Sequence, residues 1–134
     1  MKRILVSLVV LAIIGAGVGY YMYNKPVESL EHKKADIVIS ADQLLKEYES
    51  DETSANEKFL GKVIEVNGKV TGISNEDGKK KVNIETSNPM SAIICEMEEN
   101  MSTGDMKEGD NVKMKGMCSG YLSDVILVQS SVVK

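Results

Sequence analysis

The hydrophobic positions of the chain fall into two parts with different spacing. Residues 4–23 form an apolar run of twenty residues without a charge. At about 1.5 Å per helical residue, this run is long enough to cross a hydrocarbon core of about 30 Å. Lys2 and Arg3 precede the run, and tyrosines cluster at its end, as interfacial aromatic residues do. The pattern predicts a transmembrane signal-anchor helix over residues 1–24.

The alternative for this segment is a cleaved secretory signal. Small residues such as Gly15 and Gly17 offer only a weak processing site, and the run is longer than a usual signal core, so we favour the uncleaved anchor. A short basic tail followed by one apolar helix normally inserts with the tail inside. We therefore expect a single-pass protein of the cell membrane with its C-terminal domain outside the cytoplasm, or a secreted domain if cleavage occurs.

A polar stretch follows, and then the spacing becomes helical. Residues 25–38 carry charges and Pro26, and we assign them to a polar tether. The sequence Ser40-Ala-Asp-Gln43 is a capping box, which predicts a helix over residues 41–50. A second short helix is predicted over residues 54–60.

From Gly61 onward the apolar residues alternate, which predicts five strands. The strands are expected near residues 61–73, 80–86, 92–97, 111–118 and 124–133. The first is long and contains glycines, which is typical of bent barrel strands. Five short strands with a longer break after the third are the order of an OB-fold, whereas a sandwich usually needs about seven. We predict a mainly β domain over residues 39–134: a five-stranded Greek-key β-barrel preceded by two short helices.

Several segments of this region also match a known family in combination. They are Ala41-Asp-Gln-Leu-Leu45, Ser54 to Val70, Cys95, Gly109 to Gly120 and Asp124 to Leu127. Together they resemble the tRNA_anti-like family of bacterial OB-fold proteins, which are described as lipoproteins. The resemblance covers residues 36–134 and implies an OB-fold in the cell envelope, with no agreed catalytic residues. The chain departs from the family in having no cysteine before Cys95 to acylate, and in carrying Ser130 where similar sequences often have another cysteine.

Charge and composition exclude several classes of function. Beyond residue 24 the chain holds 14 basic and 20 acidic residues, a net charge of −6. The single histidine, His32, lies in the tether, so the barrel has no histidine base to activate a nucleophile. Six methionines after residue 89 are soft donors suited to Cu(I), but methionine also fills cores that are poor in aromatic residues. We predict no enzyme, no catalytic residues, no cofactor and no metal site.

The two cysteines leave two alternatives open. Cys95 and Cys118 share strand phase with apolar neighbours, so both thiols are expected to point into the barrel. Outside the cytoplasm a lone pair of cysteines more often forms a disulfide. Two buried free thiols are equally compatible with the pattern, because inward phase does not place the two strands side by side.

The partners follow from the anchor and the charge. We expect contact with the membrane through residues 4–23, and a barrel that binds an envelope protein, peptide or glycan without catalysis. The alternative is a single-stranded nucleic-acid-binding OB module, which would stack bases on aromatic residues along a basic groove. Nucleic acid is not expected, because the domain is acidic, has few aromatic residues and places its one basic cluster, residues 79–81, at a turn.

Overall fold

The N-terminal helix forms as predicted. The computed structural model describes residues 1–25 and 28–134. Helix α1 (Lys2–Tyr23) has a mean hydropathy of 2.3 over its most apolar window, and none of that window is buried. Within the described residues it is the one helix long and apolar enough to cross a membrane. Because proline cannot continue a helix, the sequence also predicts that Pro26 ends this one. Pro26 lies outside the described residues, and α1 itself ends at Tyr23 with Asn24 as its C-cap.

Two helices and six strands follow. They are β1 (Ile37–Ser40), α2 (Ala41–Ser50), α3 (Glu52–Phe59), β2 (Val63–Glu76), β3 (Lys79–Ile84), β4 (Ile93–Met97), β5 (Asn111–Tyr121) and β6 (Val125–Val132). Helix α2 has the predicted bounds, and the amide of Gln43 donates to Ser40 Oγ at 3.2 Å. Helix α3 begins two residues earlier than predicted because Asp51 caps it, accepting hydrogen bonds from the amide and hydroxyl of Ser54.

The strands close into the predicted OB-fold barrel. The order is β2-β3-β4-β6-β5, and β5 pairs with β2 to complete the barrel; β4 and β6 are parallel and the other barrel pairs antiparallel. Strand β2 pairs with two different strands along its length. Its first part, up to Lys69, pairs with β5, and its second part, from Val70 onward, pairs with β3. A bulge between Val70 and Gly72 lies near this change of partner. Strand β1 was not predicted, and it adds to β2 as a parallel sixth strand.

The core fills the barrel and the space under α2 and α3. Its largest fully buried side chains are Leu44, Leu45, Tyr48, Phe59, Ile64, Ile84, Ile93, Met114 and Leu127. Met97 and Met114 lie in the core, and Met101 and Met106 pack against the core. Four of the six methionines after residue 89 therefore contribute to core packing. Polarizable, unbranched methionine fits the irregular gaps of a barrel with few aromatic side chains.

Part of the segment assigned to the tether packs on the barrel. Residues 29–33, named the strap, contain Leu30, of which only 5% is exposed. The ammonium group of Lys115 on β5 donates to the backbone carbonyls of Glu31 and Lys33, at 2.8 and 2.7 Å. Lys115 is 9% exposed, and a buried ammonium group requires such partners. The strap supplies these partners and so holds the chain against β5.

The strap also contacts the long connection after β4. The hydroxyl of Ser29 donates to a carboxylate oxygen of Glu98 at 2.9 Å. The boundaries at residues 25–38 and 39–134 stay predictions, but β1 starts within the range given to the tether. The polar sequence of this segment indicated a tether. It gave no sign of docking, because the residues that hold it lie far away in the chain.

Candidate binding face

OB-folds bind ligands on the face of their second and third barrel strands, which are β3 and β4 here, and β6 extends that face beside β4. Alternation along each strand identifies the outward side chains, since the inward ones between them, such as Val82, Cys95 and Leu127, are buried. We define the binding face as Lys81, Asn83, Ile94, Glu96, Ile126 and Val128. The register places Asn83, Ile94 and Ile126 side by side across the three strands.

The centre of the binding face is apolar. Ile94, Ile126 and Val128 are each half-buried, so part of every side chain reaches solvent. Exposed aliphatic groups that are contiguous on one face are typical of interaction surfaces, because covering them removes apolar area from water. Sequence alternation predicted which residues point outward but did not single out this row.

The basic residue of the face is neutralised. The Lys81 ammonium lies 2.9 Å from the Glu76 carboxylate and 3.7 Å from that of Glu96. The hydrogen bond to Glu76 is the main reason that the pKa of Lys81 is raised, with Glu96 adding to the effect. Lys81 is the member of the predicted basic cluster that lies on the binding face, and it therefore already has two carboxylate partners.

The aromatic residues of the domain pack together away from the binding face. The Tyr48 ring lies 5.9 Å from that of Phe59 and is stacked on that of Tyr121 at 5.3 Å between centroids. Tyr48 and Phe59 are almost fully buried, and the Tyr48 hydroxyl lies 3.2 Å from Cys118 Sγ. Tyr121, which the sequence did not assign, completes this cluster. None of the three aromatic residues lies on the binding face.

A pocket of about 540 Å³ adjoins the binding face where β4 ends. It is lined by Lys79, Glu96, Met97, Glu98, Glu99, Asn100, Val128 and Gln129. Gln129 has a φ of 51°, and the pairing of β4 with β6 shifts register there, so a bulge shapes the pocket wall. Sequence reasoning missed the pocket because nothing in the β6 sequence marks the bulge.

A second pocket of about 500 Å³ lies at the loop joining β3 to β4. Several of its polar groups are engaged within the protein. Thr86 Oγ1 donates to the carbonyls of Asn88 and Ser91, and the Asp124 carboxylate accepts from the Ala92 amide at 2.7 Å. These bonds shape the loop, and we assign the pocket no ligand.

Both cysteines point into the barrel, as predicted, and both are free thiols. Cys95 pairs with Leu127 from one side of β6 and Cys118 pairs with Leu127 from the other. One strand therefore lies between them, and two strand spacings of about 4.8 Å separate the Cα atoms by up to about 10 Å, whereas a disulfide needs them within about 7 Å. The arrangement favours the free-thiol alternative, and the disulfide between Cys95 and Cys118 stays a prediction.

Burial also changes the acidity of these thiols. It raises the pKa of Cys95 to about 12, against a smaller opposite effect of the hydrogen bond with Ser130. Burial likewise raises the pKa of Cys118. Across residues 1–25 and 28–134, no group of three or more His, Cys, Asp or Glu side chains is arranged to hold a metal ion. His32 lies in the strap with 91% of its side chain exposed.

Comparison with known proteins gives one matching family and several solved structures of similar fold. A model of the tRNA_anti-like family matches residues 1–132. A crystal structure of a "putative nucleic acid-binding lipoprotein" from Klebsiella pneumoniae is similar, with a TM-score of 0.61 and 16% identity, covering 72% of this chain and 92% of that one. The yeast Stn1 and Ten1 structure gives a TM-score of 0.46 and 17% identity, covering 79% and 66%. No curated protein matches the sequence.

Proposed function

Because this chain belongs to the tRNA_anti-like family, we propose that it is a membrane-anchored, extracytoplasmic OB-fold module that binds a protein, peptide or glycan without catalysing a reaction. One observation carries the proposal: Ile94, Ile126 and Val128 form a contiguous, partly exposed apolar row, with Ile94 on the β3–β4 face that OB-folds use for ligands and the other two on the adjoining strand β6. Such a row is suited to covering by another apolar surface.

Among these ligand classes the side chains favour a protein or peptide. Aliphatic side chains of a partner would bury the row, at about 25 cal/mol for each Å² of apolar surface removed from water. Lys81 is held by two carboxylates. The face therefore favours contact with apolar side chains over contact with an anion.

Helix α1 supports the location of the module. Its 22 residues are long and apolar enough to cross a membrane, and Lys2 and the N-terminus precede its apolar run. A short basic tail before one apolar helix favours a cytoplasmic N-terminus and an external barrel. Signal cleavage would leave the same barrel secreted instead.

Co-purification from membranes tests the proposal. The full chain is compared with an Ile94→Ser/Ile126→Ser variant and with Val38→Ser, which alters a valine on β1 that is 65% exposed. We expect a protein or glycan to be enriched by the wild type and by Val38→Ser, and to be lost with the double variant. The same partners on all three proteins, with all three folded, would contradict a role for the binding face.

The alternative is a single-stranded nucleic-acid-binding module. What favours it is the similarity of fold to the Klebsiella protein, which is described as nucleic acid-binding. What weighs against it is the packing of Tyr48, Phe59 and Tyr121 into one cluster, since sequence-tolerant binding of single strands relies on aromatic stacking platforms. The net charge of −6 beyond residue 24 also repels phosphate.

A further inference from the structure

The strap limits how far the pocket at the end of β4 can lie from the end of α1. Ser29 contacts Glu98, which lines that pocket, and five residues separate Ser29 from Tyr23, the last residue of α1. Even fully extended, this stretch of chain spans about 21 Å. With α1 in a membrane, as proposed above, the pocket is therefore held close to the membrane surface.

The pocket carries an excess of negative charge. Three carboxylates line it, those of Glu96, Glu98 and Glu99, against the ammonium group of Lys79 and that of Lys81, which lies beside the pocket at 3.7 Å from Glu96. Glu99 is exposed, while Glu96 and Glu98 are half-buried. In a domain that is itself acidic, this excess repels anionic lipid headgroups and attracts Lys or Arg side chains. A positively charged segment is therefore the ligand whose charge best matches the pocket.

The pocket is also continuous with the apolar row. Met97 and Val128 line the pocket, and Val128 belongs to the binding face together with Ile94 and Ile126. A ligand that fills both regions must offer aliphatic groups beside its positive charge. A free cation or a sugar offers no such combination, whereas a polypeptide does.

We propose that the pocket and the apolar row bind a segment of another membrane-anchored protein that carries Lys or Arg beside aliphatic residues. The proposal rests on the binding function proposed above, and adds the chemistry of the partner and its place at the membrane. The carboxylates of Glu98 and Glu99 contact the basic side chains, and Val128 contacts the aliphatic ones.

Site-specific photocrosslinking in intact membranes tests this proposal. The full chain carries p-benzoylphenylalanine in place of Val128, or in place of Met90 as a control, since Met90 is 84% exposed and lies in the loop before β4. We expect protein adducts at position 128 and not at position 90. The crosslinked peptide should contain Lys or Arg beside aliphatic residues and belong to a protein with its own membrane anchor.

A charge variant gives the second measurement. Glu99→Lys in the chain that carries the probe at position 128 should reduce the adduct about tenfold, because a like charge then faces the basic segment. The control is Glu57→Lys, at an exposed position on α3, which should leave the adduct unchanged. Circular dichroism of each variant verifies that the barrel remains folded.

The outcomes separate the two proposals. Adducts at position 128 to soluble proteins or acidic segments, or adducts that Glu99→Lys leaves unchanged, would overturn the assigned partner and leave the binding function standing. No protein or glycan adduct at position 128 would overturn both. Adducts to nucleic acid there would overturn both in favour of the single-strand module.

Discussion

At the scale of single residues, the packing of β5 against β6 depends on Gly116. A Cβ atom at this position would overlap Ser130 Oγ and would lie 3.1 Å from both Leu127 Cβ and the Val128 carbonyl oxygen. Gly116→Ala should therefore lower the free energy of unfolding by about 1–3 kcal/mol, the usual cost of overpacking. Urea unfolding followed by circular dichroism measures the change.

The control for this prediction is Gly72→Ala on β2. The nearest atom to a Cβ there is Asn83 Nδ2 at 3.6 Å, which is an ordinary contact. We expect its free energy of unfolding to change by less than about 0.5 kcal/mol. An equal loss in the two variants would show that the effect does not come from crowding beside Ser130.

The buried thiol of Cys95 makes a pH-dependent contribution to stability. Its pKa is about 12 in the folded barrel and about 8.5 in an unfolded chain. Stability from this group is therefore complete below about pH 8.5 and is lost as the pH rises toward 12, because the unfolded state releases the proton first. The loss approaches about 1.4 kcal/mol for each pH unit.

Unfolding free energies at about pH 7 and pH 10 test this prediction. Cys95→Val removes the titrating group and keeps a small apolar side chain, so its stability should fall less between the two pH values than that of the wild type. Tyr48 and Cys118, whose pKa values burial also raises, act equally in both proteins. An equal loss of unfolding free energy in the wild type and in Cys95→Val, between the two pH values, would contradict a contribution from the Cys95 thiol.

At the scale of elements, the strap depends on one side chain of β5. Lys115→Met keeps the length of the side chain and removes the donors to the carbonyls of Glu31 and Lys33. Lys113→Met is the control, since Lys113 is an exposed lysine on the same strand. Breaking two bonds to a charged group should cost about 1.5–3 kcal/mol or more of strap stability.

Limited proteolysis with trypsin reports on the strap directly. The peptide bond after Lys33 includes the carbonyl that Lys115 holds, so cleavage there should be slow in the wild type and in Lys113→Met. It should be at least about tenfold faster in Lys115→Met. Equal cleavage rates in all three proteins would mean that the strap does not dock in solution.

The helices and strands also show how much of the structure the sequence predicts. Periodicity and capping chemistry predicted α2 and the five barrel strands, because these depend on neighbours within a few residues. Strand β1 was missed because it has four residues and follows a charged stretch. The strap was missed because its partner, Lys115, lies 84 residues from Glu31. On the binding face, alternation predicts orientation, but the bulge at Gln129 that shapes the pocket has no local signal.

At the scale of the whole molecule, the anchor determines where the barrel acts. If α1 is retained, the full protein should remain in the membrane fraction after washes with high salt and with carbonate, because about twenty apolar residues are buried in lipid. A protease added from outside should then remove the barrel. Release of a soluble chain that begins near Val18 would show cleavage instead and would place the barrel in the secreted fraction.

The central claim is that the binding face receives a polypeptide and not a nucleic acid. Titrating the full chain in nanodiscs with a single-stranded oligonucleotide, at about 50 mM and about 200 mM salt, tests it most directly. The acidic domain, the packing of Tyr48 and Tyr121 away from the binding face and the paired Lys81 predict no saturable binding at either salt concentration. Submicromolar binding that weakens at the higher salt and is lost on Ile94→Ser/Ile126→Ser would contradict the claim.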